Sequence, residues 1–113
     1  MTILARITRN HDQIVAAIKA MFEKRTKSQI TRIELIPEEI VGEMHVNLSA
    51  RVVIEAHNGE EAIADLSLPT VLNYVMEAVV AEGFDRLDHV KFYVLSEGDI
   101  KADIYYQLGA QKQ

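Results

Sequence analysis

A chain of 113 residues, 49% hydrophobic and 26% charged, is long enough for one domain with its own core and needs neither metal nor disulfide to hold it. It has no cysteine, which excludes disulfides, thiolate metal sites and a cysteine nucleophile, and no apolar run near the roughly 20 residues that cross a bilayer. The net charge of −5 is uneven: residues 1–36 carry seven Lys/Arg against three Asp/Glu, and residues 37–113 five against fourteen, an asymmetry that marks either a nucleic-acid patch or two faces that attract each other in an assembly.

The opening MTILARITRN has neither the basic start nor the continuous apolar run of a secretory signal, so the expected location is cytoplasmic. Residues 2–8 read as a strand with Ile3, Ala5 and Ile7 on one face. Asn10 and Gln13 have the spacing of a capping box, the Asn side chain accepting an orphan amide and the Gln reaching back. Ile14, Val15, Ile18, Met21 and Phe22 follow at helical spacing and predict a helix over 11–25 with one apolar stripe. Lys24, Arg25 and Lys27 stand at its C-terminal end, where cations complement the helix dipole. Residues 30–36 form a second predicted strand, ended by Pro37, and 38–42 suit a loop, a helical turn or a continuation of the strand around a bend.

From 43 to 57 the run EMHVNLSARVVIEAH alternates, with Met44, Val46, Leu48, Ala50, Val52, Ile54 and Ala56 as the apolar row of a long strand. Asn58-Gly59 and a shorter alternating run, 62–68, follow. A two-residue Asn-Gly turn mixes the faces of the two strands. Pairing 57 with 61 instead sets Ile54 beside Ala64, Val52 beside Leu66, Ala50 beside Leu68 and Arg51 beside Ser67, and this is the expected register because it buries one face.

Pro69 suits the first turn of a second helix, with Ser67 or Leu68 at the cap. Val71, Leu72, Val75, Met76 and Val79 make its apolar stripe, and Gly83-Phe84 reads as a left-handed C-cap with its hydrophobic contact. Val90, Phe92 and Val94 alternate in the next strand, as do Ile100, Ala102, Ile104, Tyr106 and Leu108 in the last. Pairing 96 with 100 sets Val94 beside Ala102 and Phe92 beside Ile104, around a three-residue loop with Gly98 at its centre. The order β-α-β-β-β-α-β-β predicts an α+β two-layer sandwich, a mostly antiparallel sheet with two helices on one face. A single domain is expected over 1–108 with a frayed tail over 109–113, and one sheet face must stay open to water or to a partner.

Candidate chemistry is sparse. His45 and His57 share a face, but twelve residues at about 3.3 Å each put them roughly 40 Å apart on a straight strand, and His11 and His89 lack the spacing of a zinc helix. No metal or cofactor is expected. His45, Asn47, Ser49 and Arg51, about 7 Å apart along one face, have the groups to hold a small phosphate or carboxylate with Arg51 as the anchor; the same row suits any half-exposed antiparallel strand. Ser49 has no nucleophile elbow, the glycines stand singly, and the carboxylates, the pairs Glu38-Glu39 and Glu60-Glu61 among them, are for the most part expected at turns, so no catalytic residue is assigned. Lys19, Lys24, Arg25 and Lys27 are the candidate nucleic-acid contacts, opposed by the net charge. Tyr93 and Tyr105, on the polar face of the last hairpin, are candidate interface residues because tyrosine is favoured at subunit contacts.

Over residues 1–83 the order β-α-β-β-β-α resembles that of ribosome-hibernation factors and is similar to double-stranded-RNA-binding folds. The resemblance is one of element order, and it implies RNA or ribosome contact through basic helix surfaces. The second predicted helix departs from it, carrying Glu77 and Glu82 with no Lys or Arg from 68 to 85. The leading expectation is a non-enzymatic protein-interaction or regulatory module without a membrane, self-associating or binding a protein partner through the open sheet face or an edge strand. An RNA- or ribosome-associated factor is the alternative, and an anion or catalytic site on 43–57 the next.

Overall fold

Asn10 starts the first helix as its spacing predicts. Its side chain accepts from the Gln13 amide at 2.9 Å, while Gln13 Oε1 accepts from the Asn10 amide at 2.9 Å, satisfying two donors that the first helical turn leaves orphaned. The computed structural model describes residues 2–108; the tail over 109–113, expected to fray, lies outside the described residues. Helix α1 spans His11–Thr26, buries Ile14, Ile18 and Phe22, and closes on Lys27 in the left-handed conformation. The strands are β1 Leu4–Arg9, β2 Ile30–Glu39, β3 Val46–Glu55, β4 Glu61–Leu66, β5 Leu87–Val94 and β6 Ile100–Gln107, with helix α2 over Leu68–Ala81. The order is that of the sequence pattern, and the class is α+β.

Every strand pairing is antiparallel, in the order β1-β6-β5-β3-β2, and β4 pairs with β3 off that path. Strands β4 and β5 share one side of β3: β4 takes Ala50 to Glu55, and β5 meets β3 at Val46 opposite Phe92. The sheet is therefore forked, and the core bridges the fork. Ile14 and Ile18 of α1, Val71, Val75 and Val79 of α2, and Leu48, Val52, Phe92 and Ile104 of the sheet lie in one cluster. Side chains as deeply buried as Ile18, Leu48 and Ile104 stabilise by roughly 1.5–3 kcal/mol each. Helix α2 ends in a Schellman arrangement, with Phe84 N donating to Val79 O at 3.3 Å and Gly83 N to Val80 O at 2.9 Å. Its buried stripe also takes in Tyr74, which the periodicity did not include.

Four expectations need correction. Pro37 does not end β2; it pairs with Leu48 inside the strand, because β2 is an edge among the described residues and a proline on an edge need not donate to a ladder. Strand β3 is shorter than 43–57, so Met44 and His45 precede it and Ala56 and His57 follow it. Its register with β4 puts Ala50 opposite Leu66, Val52 opposite Ala64, Ile54 opposite Ala62 and Arg51 opposite Asp65, two residues from the expected pairing. The last hairpin is displaced in the same sense, with Phe92 opposite Ala102 and Val94 opposite Ile100.

Both displacements have one cause. The loops are three residues long as expected, but in each the left-handed glycine is the last loop residue and not the central one; in the first loop the central Asn58 is left-handed as well. Ala56 N donates to Glu60 O, enclosing 57–59, and Leu95 N donates to Asp99 O at 2.8 Å, enclosing 96–98. Gly59 at φ +76° and Gly98 at φ +96° are the last loop residues. Sliding both partners by one keeps every side chain on its predicted face, which is why the apolar alternation was satisfied by the wrong pairs.

Candidate interaction surfaces

The connection between β2 and β3 is an arm that leaves the sheet. Glu43 N donates to Ile40 O at 3.0 Å, folding 40–43 into a tight turn. Val41 and Met44 flank its glycine with relative exposures of 99% and 94%. Met44 was expected to lead the buried row of β3; the strand starts two residues later and leaves it in solvent. Pro37, Ile40, Met44, His45 and Val94 line a cleft under the arm, and His45 Nδ1 lies 3.5 Å from Glu43. Residues 37–45 carry three glutamates and no Lys or Arg, so the apolar tip has an acidic collar.

The polar row of β3 does not stay together as one ligand set. His45 belongs to the arm, Asn47 lies opposite Glu38, and Ser49 Oγ approaches Ile36 O at 3.5 Å. Arg51, the expected anion anchor, donates through Nε to Asp65 Oδ1 at 2.8 Å and through an Nη to Asp65 Oδ2 at 3.4 Å. That bidentate bond holds the guanidinium pKa above its ordinary value and the Asp65 carboxyl below its own. Val53 also faces away from the helices, yet is only 3% exposed, flanked in the ladders by Arg32 and Ile63.

The open face of the β1-β6-β5 half centres on Asp103, 9% exposed. Thr8 Oγ1 donates to its Oδ1 at 2.8 Å, Tyr93 OH reaches the same oxygen at 3.3 Å, and Arg6 stands 3.8 Å from Oδ2. Desolvation, then the Asp103 charge, pushes the Tyr93 phenol upward. Tyr105 stacks on His89 with ring centres 4.4 Å apart, and it is the first cause, before Asp103, of the raised Arg6 pKa. The two candidate interface tyrosines thus belong to a network closed within the chain.

The basic end of α1 is partly neutralised. Lys19 pairs with Glu23 at 2.9 Å, and Glu23 also accepts from the Ile30 amide at 2.7 Å; Lys19 first, then that amide, draws the Glu23 carboxyl below its ordinary value. Arg25 pairs with Glu77 and lies 5.5 Å over the Tyr74 ring. Lys24 and Lys27 form no ion pair among the described residues. Among those residues no three His, Asp or Glu side chains are grouped to hold a metal, and no described helix is long and apolar enough to cross a membrane.

Sequence reading missed Val41 and Met44 as surface residues and Asp103 as a buried acid. The signal for the first was two apolar residues around Gly42 in an otherwise acidic connection. The second depends on β1 pairing with β6, with Thr8 opposite Asp103, a contact across the length of the chain that no local pattern encodes. Comparison with family models, with curated proteins and with solved structures finds no match to this chain.

Proposed function

We propose that the chain is a non-enzymatic, self-associating protein-interaction module whose contact surface is the β2–β3 arm. The observation that carries this reading is the near-complete exposure of Val41 and Met44 in one short connection. Burying each against a partner is worth roughly 1.5–3 kcal/mol, and the collar glutamates stay in water at the rim. The open sheet face supports the reading less well, because Arg51, Asp65, Asp103 and Tyr93 already have partners within the chain. The edge strands are also poor templates: β2 carries Pro37, and β1 and β4 are six residues long.

The test is sedimentation velocity over a concentration series, comparing the wild-type chain with Val41→Asp/Met44→Asp. The wild type should associate and the variant should sediment as a monomer with the same circular dichroism. A variant that associates as the wild type does would refute the arm.

A further inference from the structure

The outer seam of the helix layer holds a cleft of about 450 Å³. Met21, Met76, Val80 and Leu87 supply apolar walls, with Val80 51% exposed, and Lys24 and Arg25 stand on the rim. The carboxylate that shares this site, Glu77, is engaged by Arg25. Building on the interaction reading above, we propose that this groove receives the arm of a second copy of the chain.

Three observations on this molecule favour that occupant. The first is charge: the arm carries Glu43, with Glu38 and Glu39 at the adjoining end of β2 and no Lys or Arg nearby in the chain, and the groove holds Lys24 beside the Arg25–Glu77 ion pair, which leaves it net positive. Opposite fields of this kind steer two copies together and set their register. The second is shape and softness, since the volume lies within the roughly 300–1,000 Å³ of sites that enclose a ligand, and two methionines in the walls adapt to an inserted Val41 or Met44. The third is position. Leu87 lines the groove and Val94 lines the arm cleft, at opposite ends of β5, so seven residue steps of about 3.3 Å hold the two surfaces roughly 23 Å apart. The arm is too far from its own groove to fill it, and the contact forms between molecules. Because the two surfaces differ, the contact forms either as a reciprocal two-fold pair, arm into groove in both directions, or as a heterologous contact that closes into a ring or extends as a filament.

The experiment mixes two defects. Val41→Asp/Met44→Asp removes the arm, and Lys24→Glu/Val80→Asp, both at exposed positions, removes the groove. In sedimentation velocity each variant alone should lose association by about tenfold or more, and an equimolar mixture should form a complex holding one of each, since each supplies the surface the other lacks. Raising the salt should weaken wild-type association. If Lys24→Glu/Val80→Asp associates like the wild type while the arm variant does not, the groove is refuted and the arm reading stands. A wild-type chain that stays monomeric at millimolar concentration overturns both. A mixture that stays monomeric also refutes the groove. Should the groove double variant fold poorly, Lys24→Glu alone keeps the test: its lost association should return on mixing with Glu39→Lys/Glu43→Lys, and failure to return refutes the pairing of these charges.

Discussion

Gly98 offers the most direct check on how the last hairpin sets its register. Its φ of +96° lies in the left-handed region, and a Cβ added there meets no heavy atom within 4 Å. Gly98→Ala therefore introduces no clash, and its cost is the backbone alone. An L-residue in that region costs about 1–2 kcal/mol, offset by about 0.4–1 kcal/mol because alanine narrows the unfolded ensemble. The net destabilisation is then roughly 0.5–1 kcal/mol. At about 4 °C per kcal/mol for a chain of this size, the midpoint falls by roughly 2–4 °C. Urea unfolding followed by circular dichroism should show a lower midpoint with an unchanged slope for Gly98→Ala, and a smaller shift for Gly98→Asn, because asparagine tolerates the left-handed region. Asp99→Gly separates the two registers. Asp99 would be the last residue of the loop if Gly98 were central, and glycine would then stabilise; in the observed register its carbonyl closes the strand pair with Leu95, and glycine destabilises by up to about 1 kcal/mol. A stabilised Asp99→Gly together with a neutral Gly98→Ala would refute the reasoning.

Thr8→Val removes the 2.8 Å donor to Asp103 and should cost about 1 kcal/mol in the same assay. Tyr93→Phe removes the 3.3 Å contact to the same oxygen, should cost less, and should be non-additive with Thr8→Val. Glu23 and Asp65 have folded-state pKa values below their ordinary 4.5 and 3.8, so their stabilisation is complete above those values and is lost as pH falls through the lowered ones. Thermal midpoints should decline as pH drops below about 4.5, and Glu23→Gln should flatten part of that acid limb.

Periodicity carried the fold a long way, because burial on one face is a strong and local constraint. Asn10 and Gln13 located α1, Ser67 and Pro69 located α2, and the alternation from Val46 to Ile54 located β3 with every side chain on the correct face. The pairing of strands was legible only to a multiple of two residues, since a slip of two leaves the faces unchanged. What removes that ambiguity is turn chemistry: in both three-residue loops the left-handed glycine is last, so Gly59 and Gly98 fix the register once the loop type is named. Met44 shows the opposite limit. It continues the apolar alternation perfectly well in sequence, but the partner strand turns away at Ile40, and a residue without a neighbour across the ladder has nothing to be buried against. The network around Asp103 was illegible for a different reason. Its members come from β1, β5 and β6, and only the long-range pairing of the chain's two ends brings Thr8 to Tyr93.

The choice of contact surface follows from what each surface loses on leaving water. On the open sheet face, covering the Arg51–Asp65 pair or Arg6 beside Asp103 takes charges out of solvent that already have partners within the chain, and a partner there must offset desolvation before any contact becomes favourable. At the arm the exposed groups are a valine and a methionine, whose transfer from water is favourable without any new hydrogen bond. The arm also leaves β3 immediately before Val46, the residue whose pairing with Phe92 joins the two branches of the forked sheet. A partner seated on Val41 and Met44 therefore rests against the end of the strand that both branches share.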